Sequence, residues 1–180
     1  MTDQNRVCGN GSVGIINRDL IGRILMIEYE NYPDGFSPPT GHCDGDCYQA
    51  ACHRIFKEQT GLSIMGAPRP LRLYKPIKNN LCSRGGLHHD WQVFQVDCAL
   101  GMGKFRDIIN GVRWIGWVEI SVIRELTDRT EEYLRRLKFA EQGDCDGLSE
   151  EIKSHVKKVW RVSPGLNIAW LEIFKELGIL

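Results

Sequence analysis

A charge imbalance is the first thing this sequence lacks. Its 23 Lys and Arg offset 23 Asp and Glu, leaving a formal net charge of zero. General nucleic-acid binders ordinarily carry a basic excess, so that class is not expected. A few local charges still suffice for a small phosphorylated ligand. Long apolar runs are also missing. The longest, such as residues 24–27, have strand length and fall far short of the ~20 residues of a membrane span. Residues 1–7 are polar and lack the apolar core of a secretion signal, so neither export nor a membrane location is expected. No internal repeat, low-complexity tract or domain-dividing linker is visible. Cysteine is not scarce: there are seven. An odd count at irregular spacing, without a secretion signal, reads as reduced thiols in a cytoplasmic protein. Several should serve as small buried apolar residues. The 180 residues suit one domain with a sizeable core.

Residues 11–17 and 22–29 are two β-rich runs, and the polar turn from Asn17 to Asp19 between them resembles a hairpin. A Pro- and Gly-rich loop follows. Residues 46–60 read as a helix stopped by Gly61, with Asp46 as a plausible N-cap. Residues 69–76, 90–98 and 111–117 read as strands. Beyond them, residues 120–126, 131–142, 149–159 and 166–177 all carry apolar residues at helical spacing. Strands, a helix, more strands and a helical tail suggest a mixed sheet sandwiched by helices. The last helices are expected to cap the sheet or to form a dimer face. If residues 111–117 are a strand, Trp114 and Trp117 lie on opposite faces, one of them in the core.

The stretch from Gly41 to Leu62 carries the functional argument. It reads Gly41-His42-Cys43-Asp44-Gly45-Asp46, then seven residues, then Arg54-Ile55-Phe56-Lys57-Glu58-Gln59-Thr60-Gly61-Leu62. This resembles the Nudix box: Gly, five residues, Glu, seven residues, then Arg-Glu-aliphatic-any-Glu-Glu-any-Gly-aliphatic. Arg54, Glu58, Gly61 and Leu62 match, and Asp46 stands where the earlier Glu belongs. Thr40 falls on the first Gly column, so the loop is one residue shorter between Gly41 and Asp46. Two departures touch the chemistry. Ile55 replaces the Glu after the Arg, and Gln59 replaces the second Glu of the pair. Positions 55, 58 and 59 share one helix face by their spacing. In the family that face carries carboxylates that hold Mg²⁺ or a similar hard ion, which activates water against a diphosphate. Here only Glu58 keeps a negative charge.

The resemblance implies a Nudix-type α/β/α sandwich with a mixed sheet and additional C-terminal helices. Residues 1–180 would form a single domain, with a core at about 11–126 and a helical extension at about 127–180. It implies a nucleotide or nucleoside-diphosphate-linked ligand, with hydrolysis weak or lost. An active hydrolase remains an alternative, using Mg²⁺ or Mn²⁺ on Glu58, Gln59, Asp46 and Asp44, with a further acid from Asp107 to Glu119. A non-catalytic subunit, a homodimer or a protein partner engaged through the C-terminal helices is the other. Arg54 would orient the carboxylates, and Glu58 and Arg54 are the catalytic pair if one exists. The Gly-rich stretch from Ser83 to Trp91 suits phosphate and base contacts, from Arg84, His88 and Trp91 with Gly41 across the loop. His42, Cys43, Cys47, Cys52 and His53 also invite a zinc reading, but half of the usual ligand set is missing.

Overall fold

Period-two alternation in the strands sends side chains to both faces of a layer, and both faces are covered by helices. The computed structural model describes residues 9–30, 35–73, 75, 77, 89–98, 105, 111–142 and 148–180, without side chains for 139–142 and 148–153. The elements run β1 (Gly11–Asn17), β2 (Ile24–Tyr29), β3 (Phe36–Ser37), β4 (Thr40–His42), α1 (Tyr48–Thr60), β5 (Ile64–Leu71), β6 (Asp90–Cys98), β7 (Val112–Val118), α2 (Ile120–Gln142), α3 (Leu148–Val162) and α4 (Ile168–Glu176). They form a mixed four-stranded sheet ordered β4-β1-β6-β5 and a three-stranded sheet ordered β3-β2-β7. β1 runs parallel to β6 and antiparallel to β4.

One face packs on α1. Val13 and Ile15 of β1, Leu25 of β2, and Phe94 and Val96 of β6 meet Ala51, Cys52, Ile55 and Phe56 there. The other face packs on α2 and α4. There Ile16, Ile24, Met26, Val93 and Val118 meet Ile123, Leu126, Trp170, Leu171, Ile173 and Phe174. The helix–sheet–helix layering expected from the sequence is therefore present. α4 caps the sheet, with Trp170 fully buried. α3 packs on α2 through Tyr133, Val156 and Trp160.

Four expectations change. β1 and β2 are not a hairpin: they sit in different sheets and share only the bridge from Arg18 to Ile24. The turn between them is locked by Asp19, whose carboxylate accepts from the Ile21 and Arg23 amides and from the Arg23 side chain. β5 spans Ile64–Leu71 rather than residues 69–76, and Gly66 and Pro68 are absorbed by an irregularity between Met65 and Arg69. α2 is one helix rather than two. Thr127 and Thr130 lie mid-helix, and their hydroxyls donate to the carbonyls of Ile123 and Leu126 four residues back. Finally, Cys47 rather than Asp46 is the N-cap of α1, with no side-chain cap bond. Gly61 ends α1 at φ 73°, a left-handed conformation that glycine adopts without a Cβ penalty.

Candidate functional site

α1 presents a face whose residues are already engaged. Ile55 is 3% exposed and belongs to the core beneath the helix. A Cβ added at Gly41 would stand 3.2 Å from Ile55 Cδ1, so β4 and the helix are in close contact at that point. Gln59 uses both ends of its amide. Its Oε1 accepts from the Thr40 amide at 2.9 Å and the Tyr29 hydroxyl at 3.1 Å, and its Nε2 donates to the Thr40 carbonyl at 2.8 Å. The side chain thus brackets β4 to α1 as a backbone strand would. Nothing local to α1 announces this, since its partners lie 19 and 30 residues away.

Arg54 is the hub of the loop before the helix. Its Nε donates to Asp46 at 2.7 Å, and Nη1 reaches Glu58 at 3.4 Å. Nη2 donates to the carbonyls of His42 and Cys43 at 3.1 and 2.9 Å. Partial burial alone would lower its pKa. The Asp46 hydrogen bond and the charges of Glu58, Asp46 and Asp44 outweigh that and hold the guanidinium above its ordinary value. Two of the acids expected to hold an ion, Asp46 and Glu58, therefore pair with a guanidinium instead. Glu58 stays exposed. Among the described residues, no cluster of three or more His, Cys, Asp or Glu side chains is placed to hold an ion.

Among the described residues, the thiols do not converge into a zinc set. Cys43 and Cys52, the latter on α1 itself, are buried in the core beneath that helix, Cys47 is exposed, and Cys98 is half-buried. Burial raises the Cys43 and Cys98 thiols and pushes Cys52 up to about 12. Arg84, His88 and Asp107 lie outside the described residues. Trp91 is half-buried against the α4 side of the core, edge-on to Trp170 with ring centroids 6.3 Å apart. Its Nε1 is buried without a partner. Next to it, His42 and His89 face one another, with Nε2 atoms 3.0 Å apart.

A concave surface that the motif did not indicate lies between β7 and α2. It is a cavity of about 340 Å³ lined by Glu28, Phe36, Trp114, Val118, Val122, Glu125, Leu126 and Arg129. Trp114 is 40% exposed, packs edge-on to Phe36 at 6.0 Å, and lies over Gly116, where any Cβ would strike its ring. Trp117 points the other way, toward α1, as the strand alternation requires. The expected opposition of the two indoles is present, and Trp114 is the one left partly outside the core.

No family model matches the chain, and no curated protein matches it in sequence. Solved structures resemble it in shape. A NUDIX hydrolase from Nitrosomonas europaea matches with a TM-score of 0.50 at 22% identity, over 64% of this chain and 76% of that one. A UDP-X diphosphatase gives 0.49 at 14% identity, over 64% of this chain and 53% of that one, about half its length. An Ap4A hydrolase from C. elegans gives 0.45 at 18% identity, over 67% and 89%. At such identities the likeness shows the fold, and the fold is Nudix-type.

Proposed function

We propose, from a Nudix-type fold with an altered helix face, that this protein binds a nucleotide or nucleoside-diphosphate-linked metabolite with weak or no hydrolysis. The observation that carries this is the donor set on α1. A hard divalent ion wants several anionic oxygens and near-octahedral space. At the family's three carboxylate positions, Ile55 offers no donor and is buried in the core. Gln59 Oε1 already accepts two hydrogen bonds. Glu58 alone is anionic, and Arg54 draws on it and on Asp46. These residues do not fit Mg²⁺ or Mn²⁺, so no hydrolytic step is routed through such an ion. Arg54 keeps an architectural task instead, tying the turn to the helix through two carbonyls and two carboxylates.

Binding is supported by concave surface and by the aromatic groups beside it. The cavity between β7 and α2 offers the indole of Trp114 as a wall on which a base can stack. Gly41, Trp91, Arg84 and His88 are the other proposed ligand contacts. Isothermal titration with a panel of nucleoside diphosphates and nucleotide-linked sugars tests the reading. Micromolar binding of at least one member is expected. Absence of binding by every member would remove the ligand reading.

The interaction reading has one observation of its own. Val159 and Val162 of α3 are 44% and 85% exposed, two aliphatic side chains facing water on a C-terminal helix. Light scattering across a concentration series tests it, a stable dimer supporting it and a monomer throughout opposing it. Among the described residues, no helix is long and apolar enough to cross a membrane.

A further inference from the structure

The edge of the four-stranded sheet carries a second constellation, independent of α1. His42 ends β4, and His89 immediately precedes β6. Both strands are paired to β1, through Ser12 opposite His42 and Gly11 opposite Asp90. The main chain of both histidines is therefore fixed by the same strand. The Asp90 amide donates to the Asn10 carbonyl at 2.7 Å, and Arg54 grips the His42 carbonyl from α1. On this frame the two Nε2 atoms stand 3.0 Å apart, with ring centroids at 4.8 Å and planes inclined by 66°. Both side chains are half-buried, so one side of the pair is wet.

Two imidazole nitrogens bound to one Zn²⁺ at about 2.05 Å lie about 3.3 Å apart at the tetrahedral angle and about 2.9 Å apart at a right angle. The observed separation falls between these limits. We propose that His42 and His89 form a two-imidazole site for a borderline divalent transition ion of the Zn²⁺, Ni²⁺ and Cu²⁺ class. Imidazole suits such ions, whereas Mg²⁺ demands oxygen ligands. Water or an anionic oxygen of a bound ligand completes the coordination on the wet side. The observed separation already suits two nitrogens on one ion, and the proton between them moves to Nδ1 of the donating ring, so that both Nε2 atoms offer a lone pair. The site is separate from the α1 carboxylates. His42 and Cys43 point to opposite sides of β4, and it is Cys43 that enters the core beneath α1.

Trp91 supplies the readout, since its ring lies 6.4 Å from that of His89. Tag-free protein titrated with Ni²⁺ should show saturable quenching of tryptophan fluorescence, with one equivalent bound by calorimetry. His42→Gln and His89→Gln should each weaken this at least tenfold, with circular dichroism unchanged. His53→Gln and Cys47→Ser, at exposed positions of α1 and its cap, should leave it intact, and Mg²⁺ should not quench. Nitrogen NMR provides a check that needs no variant: Zn²⁺ should move the Nε2 resonances of both histidines together. Lack of saturable binding, native affinity retained in either histidine variant, or an unmoved pair of Nε2 resonances would overturn the site and leave a shared-proton hydrogen bond.

Discussion

Gln59 decides more at the residue scale than its neutral side chain suggests. With both amide ends bonded to the backbone of Thr40, it does the work of a short strand. Gln59→Glu removes the donor and sets an anion against the Thr40 carbonyl. Chemical denaturation should show a loss of about 1–3 kcal/mol, the penalty of a partly buried group left unpaired. Ile55→Glu should cost more, roughly 3–5 kcal/mol, because it removes a packed aliphatic side chain and buries a carboxyl in its place. The double substitution restores the family's pattern on paper. It should nonetheless fail to confer Mg²⁺-dependent hydrolysis, as read by product formation from a diphosphate-linked nucleotide. Sequence alone exposes both departures from the motif. It does not expose why they are tolerated, because Gly41, Thr40 and Tyr29 meet α1 only in three dimensions.

Elements came through the sequence better than their pairing. β-rich runs marked β1, β6 and β7 nearly to the residue, a glycine stop marked the end of α1, and apolar spacing marked α3 and α4. Strand partners were hidden because β1 pairs β6 across some eighty residues and no local turn dictates that register. The split of α2 at Thr127 to Thr130 was a local propensity overridden by tertiary packing. Thr130 Oγ1 donates to the Leu126 carbonyl and reaches the Leu166 carbonyl, while the Leu166 amide donates to Leu126. This clasp positions the start of α4 against β3, since the Phe36 amide donates to Gly165 and Asn167 donates back. A Cβ at Gly165 would stand 2.4 Å from Thr130 Oγ1 and 2.7 Å from the Leu126 carbonyl oxygen. Thr130→Val should therefore cost about 1–2 kcal/mol. Gly165→Ala should cost at least as much by overpacking, with both read from thermal unfolding.

Across the whole molecule, the two core layers make the fold sensitive to alkali. Cys52 is fully buried, and its thiol is pushed from the ordinary 9.0 up to about 12. The folded chain keeps a proton that the unfolded chain releases. That contribution is complete below about pH 9 and is lost as pH rises toward 12, by up to about 1.4 kcal/mol per unit. Unfolding measured from pH 8 to 11 should fall less steeply for Cys52→Ala than for the native chain. In this Nudix-type fold, we propose, α1 assembles no set of metal-binding carboxylates, and clusters of three or more His, Cys, Asp or Glu side chains placed to hold an ion are missing among the described residues. This is tested most directly by incubating the purified protein with diphosphate-linked nucleotides and Mg²⁺ or Mn²⁺, and separating products by chromatography. No metal-dependent product above the protein-free control is expected for any nucleotide that binds. Metal-dependent turnover that Glu58→Gln abolishes would contradict it.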